Sequence, residues 1–543
     1  MTRGLSAERL GAAVVSLAMA SLASSRPAEP ACEAPVVRTT AGDVCGLRLD
    51  VDGVVVNAYL GVPYGEDTGG ENRFQPPLPR EPWEGVHAAV APGPACPQTL
   101  TSQTEPPDDQ SEDCLYLNVW APATASGDAP VLVFVHGGGF LVGTATDTPA
   151  SPDVDWFNID GRFLAAEHGT VVVSMDYRLG AFGFLAGIAG LTGNQGLQDQ
   201  QLALGWVRDN VASFGGDPGN VTLMGESAGG TSVAVHVYAV PSSRGLFHRA
   251  IVESNPFGVG VQDWSQAKAQ AERYLLRVGC FWSFDRLACL REAALETLQA
   301  AQTPDVNLWT LIDRNAFALL AWLPVVDGGF VARDPLAAAV AGDTDVPVVW
   351  GNNDHEAFSF LGNFVEGGVN PFVGDFMTTV LFGKVAGGVM HERYLQGAAD
   401  LASAVLEGAG DHVFMCPAEL AAMNAPVGYH YRFSHPPGYV GGLTGGETCA
   451  DKTCHAVELP YVFGTGRFPD GFAATDERVS ATFMEHWAAF ARGEGDDGTG
   501  FGDWPPAVAD ADGLPTLVIA DPARVQAFDV ARCAPWAEVY GLP

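Results

Sequence analysis

The sequence predicts an α/β fold built on a large, mostly parallel sheet flanked by helices. Short apolar strands alternate with helical patterns along most of the 543 residues, which is typical of parallel strands joined by helical crossovers. Residues 131–135 and 221–224 are continuous apolar or β-branched runs, as expected for strands buried on both faces. A glycine-rich turn follows each run, and ligands of such sheets bind at the carboxyl ends of the strands.

The remaining elements are predicted in chain order from periodicity and from helix-stop signals. Strands are expected at 54–56, 58–64, 115–120, 131–135, 170–174, 221–224, 346–351 and 429–433. Helices are expected at 161–167, 196–213, 228–240 and 483–491, with a mainly helical stretch at 257–320. Residues 358–388 are rich in Gly and Phe and are expected to form a helical cap. There is no internal repeat or low-complexity linker, so residues 24–543 are predicted to be a single domain.

Charge excludes one class of partners. The formal net charge is −36 and the chain has only three lysines, so no basic patch is available to displace counterions from nucleic acid. The acidic residues are dispersed, which indicates a solvated surface; a salt-rich habitat and attraction of cationic substrates stay open as alternatives. The hydrophobic fraction of 47% is ample for a large buried core.

The N-terminus has the pattern of an export signal. Arg3 and Arg9 precede an apolar run at 10–23, and small residues at 21 and 23 form a cleavage site. Residues 1–23 are therefore predicted to be a signal peptide of a secreted or periplasmic protein. The run is too short to span a bilayer, and no other stretch approaches the length of about 20 residues that a spanning helix needs. A lipid anchor on Cys32 is a further alternative in a poor sequence context.

Ten cysteines in an exported chain favour disulfides over a metal site. None of the close pairs has zinc-knuckle spacing together with a second matching pair, so neither a metal nor a cofactor is predicted. Pairing nearest neighbours leaves one long-range bridge and uses every thiol: Cys32–Cys45, Cys96–Cys114, Cys280–Cys289, Cys449–Cys454 and Cys416–Cys533.

The candidate nucleophile is Ser227 in the G-x-S-x-G run at 225–229. A strand precedes this run and a helix follows it, so the serine is predicted to lie on a very tight turn. Glycines two residues before and two after it remove the side chains that would collide there. The hydroxyl is then held out from the sheet at the positive end of a helix, where an oxyanion can be stabilised.

Backbone donors for that oxyanion are predicted at 136–140, His-Gly-Gly-Gly-Phe, directly after the strand at 131–135. Glycines at the carboxyl end of a strand let N–H groups point into the ligand crevice. We expect the N–H groups of Gly138, Gly139 and Ala228 to form an oxyanion hole, in which one donor is typically worth about 3–4 kcal/mol in the transition state.

Several long motifs in the right order resemble the type-B carboxylesterase/lipase family, the cholinesterase-like branch of the α/β-hydrolases. The similarity covers nearly all of residues 40–540 and rests on the extended nucleophile motif at 214–229 and on the segments at 112–119, 176–184 and 323–328. This resemblance implies an α/β-hydrolase fold and a serine nucleophile assisted by a histidine base and an acid.

The resemblance places the acid on Glu356, with Asp354 of the same loop as the competitor. It places the base on His455, which begins a segment at 455–464 similar to the family's histidine segment, with His435 as the alternative. Their chain order, Ser then acid then His, is that of α/β-hydrolases. The expected activity is hydrolysis of small-molecule carboxylic esters through an acyl-enzyme.

Two other functions are weighed against this one. A lipase needs a large apolar lid, for which the six phenylalanines at 358–388 are candidates, although ordinary packing of a helical cap is the favoured explanation of them. A non-catalytic adhesion protein of the same fold would have lost the nucleophile, which is present here. The loop between Cys96 and Cys114 carries no tryptophan, so the aromatic platform that binds choline in cholinesterases is missing and choline esters are not expected as the main substrate.

Overall fold

An 11-stranded sheet is the frame of the molecule. The computed structural model describes residues 32–99, 107, 109–146, 159–302, 322–365, 371–438, 449, 451–467 and 472–542. The predicted signal peptide at 1–23 lies outside these residues, and residues 32–543 form one compact unit. The strands of this unit are β1 Val37–Arg38, β2 Asp43–Cys45, β3 Leu47–Val51, β4 Val54–Pro63, β5 Val86–Ala88, β6 Tyr116–Pro122, β7 Ala129–Val135, β8 Val171–Met175, β9 Gly216–Glu226, β10 Arg249–Glu253, β11 Val348–Asn353, β12 Gly428–Phe433, β13 Leu514–Ile519 and β14 Arg524–Phe528.

The strand order of the large sheet is β14-β13-β12-β11-β10-β9-β7-β8-β6-β4-β3. The seven strands from β13 to β8 are parallel, whereas β14 at one edge and β6, β4 and β3 at the other pair antiparallel. β1, β2 and β5 form a small separate sheet. The predicted α/β class with a mostly parallel sheet is confirmed.

Helices connect and cover these strands, as parallel neighbours require. They are α1 Arg162–His168, α2 Gly180–Phe184, α3 Gln195–Asn210, α4 Ala228–Tyr238, α5 Trp264–Val278, α6 Arg286–Glu292, α7 Leu295–Gln302, α8 Pro335–Val340, α9 Phe358–Val365, α10 Pro371–Met390, α11 Leu401–Gly410, α12 Cys416–Asn424, α13 Leu459–Val462, α14 Ala474–Ala491 and α15 Ala534–Val539. Gly383, with φ 84°, interrupts α10.

The sheet divides two apolar cores. Alternate residues of one strand belong to different cores: Val133 packs with the larger cluster, and its neighbours Leu132 and Phe134 pack with the smaller one. The same alternation holds in β9, where Leu223 and Met224 are both fully buried on opposite sides. Burial on both faces explains why these strands are continuous apolar runs in the sequence.

Several predicted boundaries were wrong. The expected opening pair at 54–56 and 58–64 is one continuous strand, β4, and its antiparallel partner is β3. The expected break at Asn57 does not occur because Asn57 pairs with Arg48 and Ala121 within the sheet. The helix predicted at 483–491 begins earlier, at Ala474. β10 had no predicted counterpart, although it lies beside β9 at the centre of the sheet.

The ten cysteines form five disulfides, in the same pairs that nearest-neighbour spacing predicts: Cys32–Cys45, Cys96–Cys114, Cys280–Cys289, Cys416–Cys533 and Cys449–Cys454. Glu419 lies near Cys416 and Cys533, but their sulfurs are bonded to each other and offer no thiolate to a metal. Within the described part of the chain, none of the helices has the length and apolar character needed to cross a bilayer.

Candidate active site

Ser227 lies on the tight turn between β9 and α4. Its backbone has φ 57° and ψ −120°, a conformation that is costly for a residue with a side chain and is typical of functional sites. A Cβ added at Gly229 would lie 1.9 Å from the carbonyl oxygen of Val135, so only glycine fits two residues after the serine. The Ser227 N–H donates to the carbonyl oxygen of Glu253 at 3.0 Å, which fixes the turn against the neighbouring strand β10.

The glycine segment after β7 packs directly against this turn. A Cβ added at Gly137 would lie 3.0 Å from Cβ of Ser227, and Gly138 and Gly139 have φ 98° and 62°. This conformation is open to glycine at no steric cost. Gly137 therefore lies against the turn that carries Ser227, and the predicted oxyanion residues Gly138 and Gly139 follow it directly in the chain.

Glu356 and His455 meet although 99 residues separate them in the chain. His455 Nδ1 lies 2.6 Å from Glu356 Oε2, and both side chains are buried. The second oxygen of Glu356 accepts from the backbone N–H of Asn353 at 2.8 Å, which holds the carboxylate in place. The other imidazole nitrogen, Nε2, faces the nucleophile turn: Glu226 Oε1 lies 3.1 Å from it, without hydrogen-bond geometry.

The competing candidates, Asp354 for the acid and His435 for the base, have other partners. Asp354 forms an ion pair with Arg432 at 2.5 Å, at the partly exposed rim of the sheet. His435 Nε2 lies 2.8 Å from Asp476 Oδ1. Of the two candidate acids and the two candidate histidines, Glu356 and His455 are the pair in contact.

Comparison of this sequence with known proteins identifies its family. The sequence profile of the carboxylesterase family matches residues 33–533. The chain belongs to the carboxylesterase family. Cocaine esterase of Oryctolagus cuniculus is 32% identical over 92% of this chain and 95% of its own length. The identity is 32% to acetylcholinesterase of Bungarus fasciatus (90% and 82% covered) and 33% to liver carboxylesterase 1F of Rattus norvegicus (87% and 88% covered).

The resemblance inferred from the motifs is thus confirmed, and with it the α/β-hydrolase fold. Family membership also shows that this chain is a carboxylic ester hydrolase acting on small-molecule esters.

Three buried carboxyl groups of this carboxylesterase were not anticipated as part of the site. Glu226, Glu253 and Glu458 lie near one another and near Glu356, at or just beyond the carboxyl ends of the strands. Burial, reinforced by the neighbouring carboxylates, raises the pKa of Glu226 and of Glu253 well above the usual range. Burial and then the charge of Glu356 raise the pKa of Glu458 to about 7. Close carboxylates that share an apolar site cannot all ionise together.

The carboxyl groups of Glu253 and Glu458 each accept hydrogen bonds that hold them in place. Trp487 Nε1 donates to Glu253 Oε1 at 2.7 Å. Ser254 Oγ donates to Glu458 Oε1 at 3.1 Å, and the Asn353 amide donates to Glu458 Oε2. One sequence feature could have indicated this cluster: Glu226 and Glu253 are each the last residue of a central strand.

Two phenylalanine rings lie beside the imidazole. The ring centroids of Phe360 and Phe414 are 4.9 and 5.2 Å from that of His455. Phe360 belongs to α9 in the predicted cap, and it stacks on Phe414 with a centroid separation of 6.0 Å. The imidazole of His455, which is itself buried, thus has an aromatic ring from the predicted cap beside it.

The segment before His455 is fixed at several points. The Cys449–Cys454 disulfide closes a short loop there. The His355 N–H donates to the Thr453 carbonyl oxygen at 2.9 Å, and the Asn353 amide donates to the Cys454 carbonyl oxygen at 2.8 Å. The acid-bearing and histidine-bearing segments are therefore bonded directly to each other.

Proposed function

We propose that this ester hydrolase works through Ser227 as nucleophile, His455 as general base and Glu356 as the orienting acid. The observation that carries the proposal is the 2.6 Å contact of His455 Nδ1 with Glu356, with the opposite nitrogen turned toward the serine-bearing turn. An acid on Nδ1 leaves the lone pair of Nε2 free to accept the serine proton. In unliganded enzymes catalytic hydrogen bonds are often loose, and they tighten when substrate binds.

The reaction then has two halves. Ser227 Oγ attacks the ester carbonyl carbon while its proton passes to His455 Nε2, and the negative charge on the carbonyl oxygen is received by the N–H groups of Gly138, Gly139 and Ala228. The C–O bond to the alcohol breaks, and His455 returns the proton to that alcohol. Water then attacks the acyl carbon as the same imidazole takes its proton. The bond to Ser227 Oγ breaks, the imidazole returns the proton to that oxygen, and the carboxylic acid leaves.

The raised pKa of Glu226 supports this assignment of roles. An ionised carboxylate 3.1 Å from Nε2 would favour a protonated imidazole, which could no longer act as a base. Burial and the charges of three neighbouring glutamates raise the pKa of Glu226, which favours its neutral form beside Nε2. Glu356 remains as the counter-ion for the imidazolium that forms during attack.

The proposal extends to substrate and location. The expected substrates are uncharged carboxylic esters rather than choline esters, because the 96–114 loop has no tryptophan. Export is supported by the five disulfides, which persist in oxidising compartments. Residues 24–543 are taken as the single domain that remains after removal of the signal peptide.

A lipase acting on longer-chain acylglycerols is the second candidate. It is favoured by apolar side chains that remain exposed on the helices after the acid, namely Phe360 at 37%, Phe376 at 44% and Val385 at 63%. Hydrolysis rates of p-nitrophenyl esters from acetate to palmitate, below and above micelle formation, separate the two candidates. A rise in rate only above micelle formation identifies the lipase.

The nucleophile is tested by covalent labelling. A fluorophosphonate should add one equivalent to the wild-type enzyme and none to Ser227→Ala. Ser254→Ala is the matched control, since Ser254 is also buried and follows the neighbouring strand β10; it should still be labelled to full stoichiometry. Absence of labelling in the folded wild type would contradict the mechanism and favour a non-catalytic protein of this fold.

A further inference from the structure

Residues 136–143 form a closed segment that we call the glycine turn. It begins at His136, directly after β7, and comes back to its own start at Gly143. A Cβ added at Gly143 would lie 2.4 Å from His136 Nδ1 and 2.8 Å from the carbonyl oxygen of Gly137, and the φ of Gly143 is 117°. The two ends of the turn therefore touch, so the position of Gly143 constrains the residues that follow β7.

Hydrogen bonds inside the glycine turn set the direction of the predicted oxyanion donors. The Val142 N–H donates to the carbonyl oxygen of Gly138 at 3.1 Å. In a trans peptide the C=O and N–H groups point in opposite directions, so this bond directs the N–H of Gly139 away from residue 142. His136 Nδ1 lies 2.9 Å from the carbonyl oxygen of Gly137, which directs the N–H of Gly138 in the same manner. Both N–H groups are thus oriented from the back of their own peptide groups.

The side chain of Gln98 holds the end of the glycine turn from outside. Its Oε1 accepts from the Gly143 N–H at 3.0 Å, and its Nε2 donates to the Gly143 carbonyl oxygen at 3.0 Å. Nε2 also donates to the carbonyl oxygen of Cys96 at 3.2 Å. The opposite orientation of the amide would set its NH₂ group against the Gly143 N–H, so the bonds themselves fix the assignment of oxygen and nitrogen. Gln98 is 3% exposed, and a buried amide with these bonds made is costly to disturb.

The loop that carries Gln98 is itself fixed. The Cys96–Cys114 disulfide begins two residues before Gln98. The Gln98 N–H donates to Gln110 Oε1 at 2.8 Å. Gln299, on α7, donates from Nε2 to the Gln98 carbonyl oxygen at 3.2 Å. Gln98 therefore connects a disulfide-closed loop to the glycine turn, with its backbone held by the loop and its side chain bonded to Gly143.

We propose that Gln98 is a positioning residue for the oxyanion hole. By bonding both backbone groups of Gly143, it holds the adjacent Val142 N–H against Gly138. That contact in turn maintains the direction of the Gly139 N–H. Donors stabilise developing charge most when they need no rearrangement, and a displacement of about 1 Å can cost about 10²-fold in rate. This role rests on the proposed oxyanion hole, whose donors Gln98 supports without contacting the reacting atoms.

The test compares p-nitrophenyl acetate with p-nitrophenyl thionoacetate, in which sulfur replaces the carbonyl oxygen. Sulfur is a weak hydrogen-bond acceptor, so the ratio of kcat/KM for the oxo ester to kcat/KM for the thiono ester measures the contribution of the oxyanion donors. A defect in Ser227 or His455 lowers both rates and leaves this ratio unchanged. The ratio therefore separates loss of oxyanion positioning from damage to the nucleophile or the base.

Gln98→Met keeps the length of the side chain and removes its hydrogen bonds. It should lower kcat for the oxo ester by about 20-fold with KM within about twofold, and it should lower the oxo/thiono ratio by about fivefold or more. Gln98→Asn keeps a polar amide that is one methylene too short to reach both groups of Gly143. It should lower the ratio by about twofold or more, and it decides the question if the methionine variant does not fold.

Gln299→Leu is the matched control. It removes hydrogen bonds to the same loop, at the Gln98 carbonyl oxygen and at Gln110 Oε1, and leaves the side chain of Gln98 in place. Both kcat and the oxo/thiono ratio should stay within about twofold of wild type. Circular-dichroism melting of the three variants shows which of them are folded.

The positioning role is overturned if the folded Gln98 variants keep the wild-type ratio, or if Gln299→Leu lowers the ratio as much as they do. A wild-type enzyme that prefers the oxo ester no more than hydroxide ion in water does would instead overturn the oxyanion hole itself, and the role of Gln98 with it. Failure of the positioning role and failure of the proposed function therefore give different results in the same assay.

Discussion

Replacing Glu356 with Gln probes the proposed triad with the least change in volume. The carboxylate accepts from His455 Nδ1 at 2.6 Å and from the Asn353 N–H at 2.8 Å, in a site where Glu356 is 1% exposed. In the glutamine variant, Oε1 can still accept from Asn353, which turns the amide NH₂ toward Nδ1. The imidazole must then carry its proton on Nε2, the nitrogen that has to accept the proton of Ser227.

The expected loss is large because the wrong tautomer predominates. We expect kcat/KM for p-nitrophenyl acetate to fall by about 10⁴-fold, equivalent to about 5.4 kcal/mol of transition-state stabilisation. Circular-dichroism melting should show that the variant stays folded. Steady-state rates at pH 8, with enzyme concentration determined by absorbance, provide the measurement.

Asp354→Asn is the matched control for this loss. Asp354 lies two residues earlier in the same loop, but its partner is Arg432 and both side chains are 20–25% exposed. Ion pairs of this kind contribute about 0–1 kcal/mol to stability, so we expect kcat/KM to stay within about twofold of wild type. The assignment of Glu356 would be refuted if its variant kept more than a tenth of the activity, or if Asp354→Asn lost as much.

Two further predictions concern the surroundings of the triad. Because burial raises the pKa of Glu458 from 4.5 to about 7, the folded protein holds a proton that the unfolded chain releases, and this carboxyl loses stabilising effect as pH rises from about 4.5 to 7. The free energy of unfolding of Glu458→Gln, relative to wild type, should therefore rise by about 3 kcal/mol between pH 5 and 8 in denaturant titrations; a constant difference would contradict the raised pKa. Replacing Cys449 and Cys454 by Ser should lower kcat by about threefold or more, while loop entropy limits the stability loss to about 2 kcal/mol. The double variant of Cys280 and Cys289 should lose similar stability at unchanged kcat, and a similar kcat in both variants would reduce the first disulfide to a purely structural bond.

The part of the site that the sequence predicts is the part encoded locally. Ser227, its flanking glycines and the helix after it lie within one strand-turn-helix unit, so the tight turn follows from residues a few positions apart. The glycine segment at 136–140 is equally local, because it begins where β7 ends. Glu356 and His455 were assigned by family resemblance, and no local pattern separates Glu356 from Asp354. In the folded chain Asp354 lies beside Arg432 whereas Glu356 contacts His455, which supports the proposed assignment.

The edge strands of the sheet were predicted less well than the central strands, because their local sequence carries less information. β14 is mostly exposed and has no apolar run, and β3 alternates exposed and half-buried residues. Their strand conformation depends on pairing with β13 and β4, which is a tertiary contact and leaves a weak trace in composition. β10 is short and buried throughout. The sequence around it shows neither a clear helical nor a clear strand periodicity, so no strand was predicted there.

The cluster of buried glutamates follows from the topology of the sheet. Parallel strands end at one edge, so the last residues of β9 and β10, Glu226 and Glu253, are brought together with the loop carrying Glu356 after β11. Such a cluster would repel itself if every member were ionised, and burial raises the pKa of Glu226 and of Glu253, which favours their neutral forms. Glu356 thus contacts His455 Nδ1, whereas Glu226, the carboxyl whose pKa is raised by burial, lies 3.1 Å from Nε2. In the proposed mechanism Nε2 accepts the proton of Ser227, so the two nitrogens of His455 need different neighbours, and the fold buries Glu226 beside Nε2 and Glu356 beside Nδ1.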